Sequence, residues 1–527
     1  MKTPSPAQKD LFSENARLHE EISALRVLLE KEEQNKTRLF KENEWFREQL
    51  LSIKRLKFGP KRERWEGEEQ IVWLFNEAEQ ESRKPEDGEN GGQEEESIQI
   101  KAFTRKRGKR RPLPEHLPRR IVEVELPENE RFSEDGSPLK VIGKEISEKL
   151  VYQPARMEVV QYHRLRYGVD SGDPVKTAHP VPQIVPKGIA TGSLIAGVIT
   201  HKYADGLPLY RQQEMFARVG VDLSRGSMAR WIVQAAKTCQ SIWNVLEERL
   251  LLSDYVACDE TPLQVLKEKN RKPESKSWMW ARVTPAAARK IVLFDYDPHR
   301  SGEVARRLLS ECRGVVQVDG YSSYNWIEKL EGLTRIGCNM HGRRGFEQAR
   351  KQGSKGGHSL AEQALKYYQR LYAIEKKAKE KGMTWAERFE YRKRDATAIW
   401  DEMREWADKN AKKVPPKSKI GKAFHYFTGE YERLRGYLGD GKLEIDNGMA
   451  ERMIRKYAIG RNNWMFSDTP AGADASALFY SFVVTAKING VNPHVALSAI
   501  FDQIPTASTI EDYERLADLL LSQPGQP

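Results

Sequence analysis

The spacing of hydrophobic and polar positions changes several times along the chain, and each change marks an expected element. From 11 to 57 apolar residues recur every seven positions. Leu11, Leu18, Leu25, Leu39, Phe46 and Ile53 fill one heptad position, with Glu32 out of pattern. The companion position, Asn15, Ile22, Leu29, Lys36, Asn43 and Leu50, is half polar. This predicts one long coiled-coil helix of defined register and low oligomer order, ended by Gly59-Pro60. A helix packed on its own protein would show the same stripe. From about 121 to 170, "IVEVEL" and "RMEVVQYHRLRYGV" alternate with period two and predict a small β domain, followed by the Pro-rich connector "HPVPQIVPKG". Residues 190 to 252 return to helical spacing. There, "LPLYRQQEMFARVGVDLSRGSMARWIVQAA" predicts a helix, a break at Gly220 and a second helix opening near Ser224. That is helix-turn-helix spacing, although ordinary all-α domains also join amphipathic helices by a Gly turn.

From 255 the pattern becomes strand-like. "YVACDETPLQVL", "KSWMWARVT" and "RKIVLFDYD" are three such runs; the helical "SGEVARRLLSEC" follows, then strands in "GVVQVDGYSSY" and "LTRIGCNMH". Three strands in succession suit an antiparallel meander, and the alternation after them suits parallel strands with crossovers, the order of a ribonuclease-H-like sheet. In that sheet Asp259 on the first strand and Asp319 at the end of the fourth meet at one edge. Two carboxylates there repel unless a cation lies between them. Hard oxygen donors suit Mg²⁺ or Mn²⁺, and a third carboxylate completes a two-metal site for displacement at phosphorus. An Asp closing a strand is also an ordinary turn residue, as in Asp319-Gly320. Glu260 is expected on the opposite strand face, and Asp295 and Asp297, sharing a face, stand as rival ligands. Further on, "LAEQALKYYQRLYAIEKKAKEK" through "FTGEYERLRGYLGD" predicts long amphipathic helices. In "LEIDNGMAERMIRKYAIGRNNWMF" a helix carries Glu451 beside Arg452 and one turn before Arg455 and Lys456. Glu451 there is either one of a solvated set of i,i+4 ion pairs or the missing third carboxylate.

Composition narrows the class. A chain of 527 residues holds two to four domains. With a net charge of +11 and a pI of about 9.2, a polyanion is the expected partner. Charge is segregated: residues 66 to 97 hold twelve acids and residues 101 to 120 hold nine Lys or Arg, which predicts a disordered linker. Cys239, Cys258, Cys312 and Cys338 form no CxxC pair, which argues against a disulfide framework or a zinc ribbon. The first residues have no apolar core of a signal peptide, and no run of eighteen apolar residues occurs. A cytoplasmic, nucleoid-associated protein with reduced thiols and no membrane contact is expected.

The blocks "DETPLQVL", "VVQVDGYSSY", "CNMHGRRGFEQA", "LEIDNGMAERMIRKYAIGRNNWMF" and "LFYSFVVTAKINGVNPHVAL" resemble, in order, those of the insertion sequence 66 family of transposases. "PARMEVVQYHRLRYGV", "KYADGLPLYRQQEMFARVGVDLSRGSMARWI" and the leucine-patterned start running into "LKFGPKRER" are similar to the upstream parts of that family. The resemblance implies a DDE enzyme with Asp259 in "CDET", Asp319 in "VDGY" and Glu451 in "NGMAER" as catalytic metal ligands for two Mg²⁺ or Mn²⁺ ions. It implies cleavage of transposon ends and strand transfer to target DNA, a homodimer or higher oligomer, and small accessory proteins encoded by the same element. DNA contacts are expected from Arg225 and Arg230 of the second helix, from His341, Arg343 and Arg344, from Arg452, Arg455 and Lys456, and from Trp464 stacking on a base. His341, in the Cys338/His341 C-x-x-H, and Trp464 also fit structural roles. The family carries paired CxxC motifs near 130 to 175; this chain has no Cys there, so no zinc is expected. A DNA-binding protein or repressor whose nuclease centre has decayed, and an endonuclease that cuts without joining, are the other readings.

The expected architecture is thus multidomain α/β plus α. It comprises a coiled-coil helix (1–60), a charged linker (61–120), a small β domain (121–185) and a helical DNA-binding region (186–252). A ribonuclease-H-like catalytic core follows in two parts (253–345 and 441–505), separated by an α-helical insertion (346–440), with a C-terminal tail (506–527).

Overall fold

The computed structural model of the chain describes residues 157–167, 176–352 and 359–522. The coiled coil, the charged linker and most of the expected β domain lie outside the described residues. The chain divides into two compact units. The described part of one holds two short antiparallel strands, β1 (Arg166–Tyr167) and β2 (Lys176–Thr177).

The described part of the other unit opens with four helices, α1 (Gly192–Tyr203), α2 (Leu209–Ala217), α3 (Arg225–Thr238) and α4 (Gln240–Leu251). The break between α2 and α3 falls where the sequence places it. Gly220 turns the chain at φ +82°, a left-handed value that glycine adopts without steric cost. Ser224 then caps α3, its Oγ accepting from Ser227 N at 3.1 Å. Met228, Trp231 and Ile232 anchor one face of α3 in the core.

A mixed sheet follows, built from β3 (Tyr255–Gln264), β4 (Lys276–Val283), β5 (Val292–Asp297), β6 (Gly314–Gln317) and β7 (Leu333–Ile336), in the order β5-β4-β3-β6-β7. β3, β4 and β5 pair antiparallel; β6 runs parallel to β3, and β7 parallel to β6. These are the order and directions read from the sequence. Helix α5 (Gly302–Leu309) makes the crossover to β6.

The edge strand β5 is closed by a helix rather than by a sixth strand. Helix α13 (Pro470–Ile488) lies along it, and the polar residues of its inward face complete the strand's ladder. Phe294 N donates to Ser481 Oγ at 2.8 Å. Val292 N donates to Thr485 Oγ1 and Val292 O accepts from it, both at 3.0 Å. Lys290 exchanges two bonds with Asn489, just past the helix end, at 2.9 and 2.8 Å. The geometry permits this because four helical residues rise about 6.0 Å and two strand residues about 6.6 Å. A strand edge that would otherwise recruit another strand is thereby satisfied.

After β7 the chain is helical: α6 (Asn339–Gln352), α7 (Leu360–Glu380), α8 (Trp385–Asp395), α9 (Thr397–Ala411), α10 (Lys419–Gly429) and α11 (Tyr431–Arg435). Helix α6 runs unbroken across position 345/346. These helices share a core of Phe346, Tyr368, Trp400, Phe424, Phe427 and Tyr437. In that core Arg392 is fully buried. It pairs with Glu375 at 2.7 Å and donates to the carbonyls of Tyr437 (3.0 Å), Asp440 (2.8 Å) and Leu443 (2.7 Å). One guanidinium thus fixes the turn that returns the chain to the sheet. There α12 (Gly448–Trp464) begins, followed by α13, α14 (Pro493–Gln503) and α15 (Ile510–Asp518). The segment read as a tail contains α15, which opens with a Thr509/Asp512 capping box and buries Leu516 and Ala517. It joins α4 through Arg249 and Asp518 at 2.6 Å. Among the described residues no helix is long and apolar enough to cross a membrane.

Candidate active site

The parallel pairing of β3 with β6 sets Ala257 opposite Gln317. Continued by two residues, that register brings Asp259 level with Asp319, just beyond the end of β6. Tyr321 N donates to Asp319 Oδ1 at 2.9 Å, so the Asp-Gly turn holds its own carboxylate. The third acid arrives on α12, which is seated by Asn447. The Asn447 side chain donates to Cys258 O at 2.7 Å, and its backbone N–H donates to Cys338 Sγ at 3.3 Å. Glu451 follows one turn later, within the first turn of the helix.

Burial pushes the Asp259 carboxyl well above the usual carboxylate range, and the negative charges of Glu260, Glu451 and Asp319 push the same way. Acids from two distant segments, Asp319 and Glu451, thus act on Asp259 at the edge of the sheet.

Glu451 also has partners from α6 and the residue before it. Cys338 Sγ lies 3.9 Å and His341 Nδ1 3.4 Å from Oε1, and Arg344 Nη2 lies 3.4 Å from Oε2. Burial depresses the His341 pKa, against the opposing pull of Glu451. Cys338, His341 and Glu451 bring sulfur, nitrogen and oxygen donors within 4.8 Å of one another. The Cys338 sulfur already accepts a backbone N–H, and burial, with Glu451 adding to it, pushes its thiol pKa up.

Glu260 is buried apart from this cluster. Its Oε1 pairs with Arg300 at 2.5 Å and its Oε2 accepts from Tyr324 Oη at 2.5 Å. Arg300 reaches Asp319 Oδ2 at 3.9 Å as well and lies 3.9 Å over the Tyr321 ring. Sequence reading did not single out Arg300 or Asn447. Each looks like an ordinary residue beside a helix start, and its importance arises from which chain segment packs against it.

The rival acids are placed elsewhere. Asp295 lies on β5, two strands from β3, and receives both Arg282 Nε and Nη2 at 3.0 Å. Arg282 is fully buried and also bonds Glu247 at 2.6 Å and Leu308 O at 3.0 Å. Asp297 pairs with Arg307 at 2.8 Å and accepts from His299 N. Both have cationic partners and neither joins the cluster, contrary to their standing as rival ligands.

Among the expected DNA-contacting residues, Arg343 on α6 and Arg452 and Lys456 on α12 are exposed, and Arg455 is half-buried. Arg344 is half-buried and pairs with Glu451. Arg225 and Arg230 stand exposed on α3; Arg225 N bonds Gln213 and the Arg230 side chain bonds Ser227. Trp464 packs edge-on to Tyr203 and tilted against Tyr480, with Lys202 Nζ 3.9 Å over its ring. Its side chain is occupied by the protein rather than presented for stacking.

A family model described as Transposase IS66 family matches residues 187–475, and one described as Transposase C of IS166 homeodomain matches residues 45–122. Three proteins of Sinorhizobium fredii are similar over most of their length. Uncharacterized protein y4qI is 29% identical over 489 residues, covering 89% of this chain and 87% of the relative. Uncharacterized protein y4hP is 25% identical over 433 residues, covering 79% and 78%. Uncharacterized protein y4jD is 28% identical over 409 residues, covering 75% and 79%.

Proposed function

Given that the chain belongs to the IS66 family of transposases, we propose that it cuts and joins DNA at a two-metal DDE centre formed by Asp259, Asp319 and Glu451 on a ribonuclease-H-like sheet. The observation that carries this reading is the convergence of the three acids, which raises the Asp259 pKa through burial and through the charges of its neighbours. A half-buried set of like charges is stable in the ionised form only with cations, and carboxylate oxygens suit Mg²⁺ or Mn²⁺.

When bound, two such ions stabilise the attacking and leaving oxygens of an in-line displacement at phosphorus. The protein supplies the geometry. Asp259 and Asp319 are set by strand register, and Glu451 is held from the side by Cys338, His341 and Arg344. Arg300 stands beside Asp319 and shares its charge with Glu260. Exposed Arg452 and Lys456 lie on the helix that carries Glu451, where they would hold phosphates on either side of the scissile one. Hydrolysis of the phosphodiester leaves a 3′-OH, and that hydroxyl attacks a phosphodiester of target DNA. One P–O bond forms as another breaks in each step, and no protein nucleophile is required. Helix α3, with Arg225 and Arg230, contributes to binding of the element's ends.

The test uses the full chain with labelled DNA bordering its coding sequence and Mg²⁺. Asp259→Asn, Asp319→Asn and Glu451→Gln should each reduce cutting and joining to background while DNA binding persists. Asp295→Asn, which breaks a buried ion pair, should lower stability by about 3–5 kcal/mol but leave cutting by the folded fraction intact. Full activity in Glu451→Gln would remove Glu451 from the centre.

A further inference from the structure

β3 and β4 run past the edge where the acids meet. β6 stops at Gln317, two residues before Asp319, whereas β3 continues from Asp259 to Gln264 and β4 returns from Lys276. The hairpin between them stands well beyond β6 and β7 and a short way beyond β5, which pairs with β4 only as far as Trp278. Six residues separate Asp259 from Val265, roughly 20 Å at about 3.3 Å per strand residue. Helix α12 follows the same path. Asn447, before its start, bonds Cys258 O, Arg461 bonds Pro262 O, and Val265 pairs with Ser467 just past its end.

The tip reads "LKEKNRKPESK" from Leu266 to Lys276 and is held stiffly. Glu268, 8% exposed, accepts from Ser277 Oγ at 2.5 Å and from Tyr296 Oη, and pairs with Arg271 at 2.8 Å. Arg271 in turn donates to Pro298 O at 2.5 Å and Lys276 O at 2.8 Å. The backbone N–H groups of Leu266 and Lys267 donate to Ser467 O and Asp468 O, each at 3.0 Å, and Lys267 Nζ pairs with Asp468 at 2.8 Å. Asn270 makes the turn at φ +61°. The acid inside the tip is therefore neutralised by Arg271, while Lys269 and Lys272 are displayed to solvent, with Glu274 beside them. A hollow lined by Lys269, Asn270, Arg271, Tyr296 and His299 opens alongside. Where α12 meets the hairpin, Met465 turns at φ +67° and is 71% exposed, and Phe466 is 44% exposed.

We propose that this hairpin is an arm that grips duplex DNA at a distance from the cut. On a strand whose phosphates are spaced about 3.4 Å along the axis, 20 Å places Lys269 and Lys272 roughly six nucleotides from the phosphate at Asp259. Met465 and Phe466 supply apolar contact with deoxyribose there. The chemistry favours DNA as the occupant: the carboxylates at the catalytic edge repel phosphate, so the few cations beside them gain from further cations that hold the duplex at a distance. A tip already fixed by buried bonds loses little freedom when it does so. The proposal rests on the catalytic reading only for the location of the cut.

Cys239, Cys258, Cys312 and Cys338 are all buried, so a thiol introduced by Lys269→Cys can be labelled selectively with an iron chelate. Bound to end-labelled duplex carrying the DNA that borders the coding sequence, it should generate radical cleavage centred about six nucleotides from the Mg²⁺-dependent nick. In K269A/K272A the plot of log affinity against log salt should flatten by about two, with affinity down about tenfold at moderate salt. Melting temperature should stay at the wild-type value, since both side chains are exposed. An unchanged salt slope, or radical cleavage next to the nick or nowhere, overturns the arm. If the wild type makes no nick but the slope still flattens, the arm stands and the catalytic reading falls.

Discussion

Asp259, Glu260, Asp295, Asp297 and Asp319 look alike in sequence, each an acid on or beside a strand, and their partners separate them. Glu260, Asp295 and Asp297 each hold an Arg, so their charge is compensated inside the protein. Asp259 is surrounded instead by burial and by other acids. Its folded-state pKa is raised above the unfolded value, so in metal-free protein the carboxyl prefers to stay protonated. Its stabilising contribution is full below the ordinary carboxylate range, about pH 4, and is lost as pH rises toward the folded pKa. Metal-free wild type should therefore lose up to about 1.4 kcal/mol per pH unit through that window, measured by urea denaturation in chelator. Asp259→Asn should be flatter, and saturating Mg²⁺ should remove the difference. An equal slope in wild type and variant would show that the crowding is not felt. The two Asp residues were legible as candidates because apolar strand runs end at them. Glu451 was legible as a candidate once two carboxylates needed a third. Arg300 and Asn447 were not, because nothing local in "PHRSG" or "IDNGM" says which strand they will meet.

At the scale of elements, the helices and strands among the described residues followed largely from periodicity, including the Gly220 break and the antiparallel-then-parallel sheet. What the period could not convey is the use made of polar residues inside an apolar helix. In "SFVVTAKIN" the residues Ser481, Thr485 and Asn489 read as tolerated interruptions, yet together they complete the ladder of β5. Thr485→Val keeps shape and volume but leaves the N–H and C=O of Val292 without their partner. The expected loss is about 1–3 kcal/mol in chemical denaturation, accompanied by a greater tendency to aggregate through the opened edge. Thr485→Ser, which retains the hydroxyl, should recover most of it. If Val and Ser behave alike, the hydroxyl does not close the edge.

For the whole molecule, the heptads of residues 11 to 57 lie outside the described residues and still predict assembly, because Leu11, Leu18, Leu25 and Leu29 need a facing seam. Light scattering should give the full chain a mass at least twice that of a variant lacking residues 1 to 60. Equal states of association would assign the seam to the protein's own surface. The proposed catalytic centre has its own long-range requirement. Glu451 comes 132 positions after Asp319 (451 minus 319), and the helices α6 to α11 lie between them. At about 5–20 residues per second, a ribosome needs roughly 7 to 26 seconds to travel from one acid to the other. During that interval β3 and β6 already exist, but α12 does not. On the proposed reading, a stalled, degraded or prematurely terminated product carries paired aspartates without the third acid needed to break DNA. The order of synthesis would then make completion of the chain a condition for acting on a genome.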